Sequence, residues 1–169
     1  MPKKPIDIKY GFSYTPARRK IEKVHTTSIL YRKNGGGIMK ILVAYVGGSD
    51  VDQAVLEVAK KHAKAFNASL HIACSMEQVS EKEFRNLDKV EKHLAYVKET
   101  MDAEGIKCET HILVRGLTPG EDIVEFAADK KVDEIIIGIE KKSKVGKLLF
   151  GSNAEHIILQ SACPVVSVK

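Results

Sequence analysis

No stretch of the 169-residue chain approaches the run of about 18 apolar residues that a membrane-spanning helix needs, so no helical span is encoded. Cysteine is scarce. Cys74, Cys108 and Cys163 are odd in number, lack CxxC spacing and fall in or beside apolar runs, which argues for reduced thiols in an intracellular protein. The six histidines, His25, His62, His71, His93, His111 and His156, show neither HExxH nor another metal-ligand spacing. They read as solvated or helix-face residues, and no metal is expected. No set of Ser, His and acid can be assembled from the order of residues, and no covalent nucleophile stands out, so nucleophilic catalysis is not expected and whether the protein is an enzyme stays open. The N-terminus lacks the apolar region of about 7–15 residues that marks a secretory signal, and a cytoplasmic location is expected.

Excess positive charge is missing from most of the chain as well. Residues 1–38 hold nine Lys or Arg against two acids, a balance of +7, whereas residues 39–169 hold 18 against 20, a balance of −2. The globular part therefore has no general basic face of the kind that displaces counterions from nucleic-acid phosphates. The basic leader, with Pro2, Pro5, Gly11, Pro16 and Gly35-Gly36-Gly37, has no apolar core to offset ordering entropy and reads as an extended or partly ordered arm. Three successive glycines before Met39 are also what a G-rich ribosome-binding sequence yields when translated, which makes Met39 a candidate native start.

From Met39 onward strands and helices alternate. Ile41 to Val46 is a continuous apolar run followed by Gly47-Gly48, as in a central strand of a parallel sheet. Ser49 caps a helix with Val51, Val55, Val58, His62 and Phe66 on one face, and Leu70 to Cys74 is a second strand. Ser80 opens a helix with Phe84, Leu87, Val90, Leu94, Val97 and Met101 on one face and Gly105 at its end. Thr110, Ile112 and Val114 share one face of a third strand. Thr118 as cap, Pro119 at the first helical position and Glu121 at the third give two independent start signals for a helix that buries Ile123, Phe126 and Ala127. Five strands separated by four helical segments make an α/β, doubly wound domain over residues 39–169, with helices on both faces.

The last stretch, Val132 to Lys169, concentrates the features of a binding site. A buried strand, Val132 to Gly138, runs into a loop carrying Lys141, Lys142, Lys144 and Lys147, then Gly151, then a helix opened by Ser152-Asn153-Ala154-Glu155 in the pattern of a capping box. A helix N-terminus behind a glycine offers free N–H groups and a favourable dipole to an anion. The alternative is a solvated basic loop.

Gly138, Gly151-Ser152, a helix and Cys163-Pro164-Val165-Val166 in this order resemble the C-terminal signature of the universal stress protein family, and the likeness extends from Met39 to Lys169. The resemblance implies an open five-stranded parallel sheet of order 3-2-1-4-5, nucleotide-α-hydrolase-like, and a homodimer joined through the last strand, Pro164, Val165, Val166, Ser167 and Val168. In one branch it implies ATP, with Mg, bound through G-2x-G-9x-G-(S/T). Gly138, Gly151 and Ser152 stand at the first, third and last positions of that pattern, and Lys141 stands where the family has glycine. The first strand of ATP-binding relatives ends Val-Asp-Gly-Ser; here Tyr45-Val46-Gly47-Gly48-Ser49 places Val46, or Gly47, at the acidic position. Losing such a buried hydrogen bond costs ~1–3 kcal/mol, which weakens selectivity for adenosine. In the implied strand order, Val46, Gly47, Gly48 and Ser49 face Gly138, Lys141, Gly151 and Ser152 across a crevice at the topological switch point.

Three readings follow. One is a dimeric regulatory protein without the full ATP motif, whose work is partner recognition. Another is a regulator that binds ATP or another phosphorylated ligand at the paired loops. A third rests on Val46-Gly47-Gly48-Ser49-Asp50-Val51, which is similar to the SGGxDS loop of PP-loop ATP pyrophosphatases; both flanking serines are Val here, and no downstream catalytic acids or cysteines accompany it. For the start site, N-terminal sequencing of the natively expressed protein should read from Met39; a sequence starting at Met1 makes the leader native.

Overall fold

The computed structural model describes residues 37–47, 49–77, 81–139 and 151–169. The leader up to residue 36, Gly48, and Lys141, Lys142, Lys144 and Lys147 lie outside the described residues. In chain order the elements are β1 (Lys40–Ala44), α1 (Asp50–Phe66), β2 (Ser69–Ser75), α2 (Glu81–Ala103), β3 (Cys108–Leu113), α3 (Pro119–Lys130), β4 (Glu134–Gly138), α4 (Ser152–Gln160) and β5 (Val165–Val168). The strands form one sheet ordered β3-β2-β1-β4-β5, and every neighbouring pair is parallel. Strand alternation divides the core in two. Ile41 and Val43 of β1, Leu70 and Ile72 of β2 and Ile136 of β4 pack with Val55, Ala59 and Ala63 of α1 and with Leu94, Val97 and Met101 of α2. Leu42, Ala73, Ile135 and Ile137 face the other way, onto Ile123, Phe126 and Ala127 of α3 and Ile157 of α4. Hence α1 and α4, which follow the adjacent strands β1 and β4, lie on opposite faces, and the switch point falls between those strands.

The helices start and stop for local reasons. Ser49 and Thr118 each accept from the N–H three residues on, while Asp52 and Glu121 return the bond to the cap backbone. At the other ends, Ala68 N–H donates to Ala63 O, Ile106 N–H to Met101 O and Val132 N–H to Ala127 O, the six-to-one bond of a Schellman motif. Gly105 supplies the left-handed residue for α2 (φ 73°), whereas Asn67 and Lys131 do so for α1 and α3.

Two expectations are corrected. The face of α1 nearest the sheet is Asp52, Val55, Ala59 and Ala63; Val51, Val58 and His62 flank it, and Phe66 is 46% exposed. Small residues take the closest positions because helix and sheet approach there. On β3, an edge strand, Thr110 and Ile112 are half-buried, Cys108 and Leu113 are buried, and Val114 is exposed because the strand has ended.

Candidate functional site

The C-terminal edge of the sheet brings together Val46, Gly47 and Ser49 after β1, Gly138 and Ile139 at the end of β4, and Gly151 and Ser152 at the start of α4. Strand β1 stops at Ala44. Tyr45 remains buried, its N–H donating to Ala73 O at 2.8 Å, and Val46 is 75% exposed. The turn that follows closes on Asp52, a residue with 4% exposure. Its carboxylate accepts from the N–H groups of Val46 (3.2 Å), Gly47 (3.1 Å) and Ser49 (2.9 Å). Gly47 has φ 103°, a conformation that favours glycine and turns its N–H inward.

This changes the expectation for the first loop. A cradle of successive N–H groups is an anion site in principle, but here the anion is internal. The sequence shows an acid at the third helical position and therefore a capping box; it does not show that the same carboxylate reaches back to Val46 and Gly47. Burial, with Asp52 next in importance, holds the Tyr45 hydroxyl above its ordinary range and does the same to the Cys74 thiol. Burial pushes Cys108 up to about 11. Both thiols are protonated at neutral pH, as expected for structural cysteines.

Two further site residues acquire local explanations. A Cβ on Gly138 would lie 2.7 Å from Cγ1 of Val51 and 3.3 Å from Cγ2 of Val55, so β4 and α1 approach too closely for any side chain there. Ser152 is not the cap of α4. Gly151 is, with φ −64° and ψ 150°, no side-chain cap bond is made, and the Glu155 N–H donates to Gly151 O at 3.0 Å. The Ser-x-x-Glu pattern is thus displaced by one residue, leaving Ser152 exposed in the first turn. Asn153 turns the other way and accepts from the Gly120 N–H at 3.3 Å, tying α4 to α3.

Beside the crevice, Asp122 is fully buried and joins β2 to α3. It accepts from Ser75 Oγ at 2.7 Å and from Arg115 Nε, while Arg115 also donates to Asp122 O at 2.9 Å and to Asp129 at 3.3 Å. Sequence reasoning passed over this group because its members lie in three segments. A cavity of 320 Å³ lies at the opposite edge, lined by Ile38, Asn67 and the ion pair Lys64–Glu104 among others. Glu104 is taken up by Lys60 and Lys64.

The family model for the universal stress protein family matches residues 37–169. A universal stress protein of Methanocaldococcus jannaschii is 33% identical over 151 residues, covering 81% of this chain and 86% of that protein. One from Thermus aquaticus is 33% identical over 138 residues, covering 76% and 97%. Among solved structures, a universal stress protein from Archaeoglobus fulgidus superposes with a TM-score of 0.69 at 32% identity, covering 82% of this chain and 99% of that one. A universal stress protein from A. fulgidus in complex with dAMP superposes with a TM-score of 0.65 at 29% identity, covering 78% and 98%.

Removing the internal anion leaves three part-buried donors without their acceptor, so Asp52→Ala should lower the unfolding free energy by about 1–3 kcal/mol and Asp52→Asn by less; urea denaturation measures both, and a loss below about 0.5 kcal/mol in Asp52→Ala means that water serves the turn equally well. Gly138→Ala should cost about 1–3 kcal/mol, because Val51 is stiff at χ1 and cannot swing away. Adding Val51→Ala to that chain should recover part of the loss in the same measurement, an outcome that a purely ligand-binding role for Gly138 does not produce.

Proposed function

The chain belongs to the universal stress protein family, and from that membership we propose that it is a regulatory protein of the stress response that acts as a homodimer and has a reduced ATP site. The observation that carries this reading is the Asp52 carboxylate within the β1–α1 turn. A phosphate approaching that turn meets a fixed negative charge where an empty cradle would have attracted it. Val46 or Gly47 in place of the family's acid removes a hydrogen-bond acceptor for adenosine, and Lys141 in place of its second glycine puts a side chain where that pattern leaves room for phosphate. Dimerisation is supported by the position of β5 at the end of the sheet, paired with β4 on one side. Val165, Val166 and Val168 are half-buried there, while Pro164 and Ser167 are exposed. An outer strand presents unpaired backbone groups that a second copy can complete.

A second reading, binding of a nucleotide, rests on two separate observations: α4 opens at Gly151 without a side-chain cap, and a relative with 29% identity is a complex with dAMP. In this reading Gly138, Lys141, Gly151 and Ser152 hold the phosphates of ATP, with Mg, and the turn from Val46 to Ser49 closes the other side through contacts other than its inward N–H groups.

Light scattering at micromolar protein should return the mass of a dimer. Val165→Lys, with circular dichroism unchanged, should shift it towards the monomer; a monomeric parent chain overturns the dimer. Calorimetric titration with AMP and with Mg-ATP separates the readings. Absence of binding supports the reduced site, whereas micromolar binding that is lost in Gly151→Val establishes the nucleotide reading.

A further inference from the structure

A second polar cluster lies away from the crevice, on the α3 side of β2 and β3. The parallel register sets His71 beside Glu109 and Ala73 beside His111, so the two histidines stand one pleat apart on neighbouring strands with Glu109 between them in sequence. His71 Nδ1 is 3.2 Å from His111 Nε2, and Glu109 Oε2 is 3.5 Å from the first nitrogen and 3.7 Å from the second. We propose that His71, Glu109 and His111 form a binding site for a divalent transition metal ion, of which Zn²⁺ is the representative.

Three ligand atoms on a tetrahedral ion with bonds of about 2.0–2.1 Å are separated from one another by roughly 3.3–3.4 Å. The three observed separations bracket that value. A hydrogen bond between the two imidazoles accounts for the shortest of them but not for the carboxylate, which lies too far from either nitrogen to be hydrogen-bonded and yet points at both. An ion between the three atoms accounts for all of them. Binding it needs the lone pairs of both facing nitrogens, so the proton that one ring shares with the other moves to that ring's remote nitrogen; no net proton is released from neutral rings.

The surroundings suit such a site. The sheet backbone fixes both histidines, and the His111 ring packs on Phe126 with centroids 4.8 Å apart. His71 is buried and Glu109 is half in solvent, which leaves a fourth position open to water. Two imidazoles and one carboxylate match zinc, cobalt or nickel better than calcium or magnesium, which take more oxygen ligands. Lys40 and Lys130 stand nearby and weaken the attraction for a cation while favouring an anionic fourth ligand. A signal was available in the sequence, since Glu-x-His on a strand puts both side chains on one face. Their partner His71 is supplied by the register, across the 37 positions between it and Glu109, and is not readable from spacing.

The test uses the full chain, freed of metal by a chelator and titrated with Zn²⁺ alone by calorimetry, with Co²⁺ as a spectroscopic substitute. One saturable site per chain is expected, with a visible Co²⁺ band of tetrahedral intensity and zinc-dependent shifts of the ring nitrogens of His71 and His111 in ¹⁵N spectra. His111→Ala should weaken Zn²⁺ binding by ~100-fold and Glu109→Gln by ~10-fold or more. Glu109 is exposed enough that its substitution leaves the fold intact, so it decides the matter if His111→Ala fails to fold. Absence of saturable binding, or affinity unchanged in Glu109→Gln with shifts on histidines other than these two, overturns the proposal.

Discussion

The carboxylate of Asp52 within the β1–α1 turn is the constraint from which the rest of the site follows. A parallel sheet collects its strand-to-helix turns at one edge, and each such turn must dispose of N–H groups that neither strand nor helix can pair. At β1 they are gathered onto one side chain of the helix they introduce. That bond set fixes where α1 begins, and so which of its residues meet the sheet. Val51 and Val55 are thereby brought against Gly138, and β4 is held close beneath α1. The crevice between β1 and β4 thus takes its shape from an interaction that also occupies the N–H groups of Val46, Gly47 and Ser49.

Much of this was legible in the sequence, and what was not has identifiable causes. The apolar runs and the polar starts of the helices predicted all nine elements and their order, and Thr118, Pro119 and Glu121 take the roles that their spacing implies. The same four-residue logic failed at Ser152, where Gly151 takes the cap and Ser152 falls in the first turn. It was incomplete at Ser49, where the acid in the box has capacity left over for the turn before it. Size misled the reading of α1: valine and phenylalanine mark an apolar stripe, but the line of closest approach belongs to Ala59 and Ala63. Gly138 reads as a ligand-binding glycine on motif alone, while the neighbouring valines require it for packing. The pairing of His71 with His111 depends on register, which local spacing does not encode.

Register is the remaining problem that this fold must solve. Parallel strands have no hairpin to set it, and β1, β2 and β4 are Ile-, Leu-, Val- and Ala-rich on both faces, so a slip by two residues preserves their burial pattern. Apolar packing alone discriminates weakly between such alternatives. Acids supply the discrimination. Asp133 accepts the Lys40 N–H at 2.9 Å and pins β1 against β4 at their common start. Glu134, 7% exposed, takes His62 Nδ1 at 2.7 Å and pins β4 against α1. Asp122 takes Ser75 and pins β2 against α3. Among the described residues no buried side-chain nitrogen or oxygen lacks a partner. A slip that separated Glu134 or Asp122 from its partner would strand a buried carboxylate, at a cost of several kcal/mol, against an apolar gain near zero. The polar groups therefore select one alignment from several of similar apolar burial, and the site geometry is only as well defined as that selection.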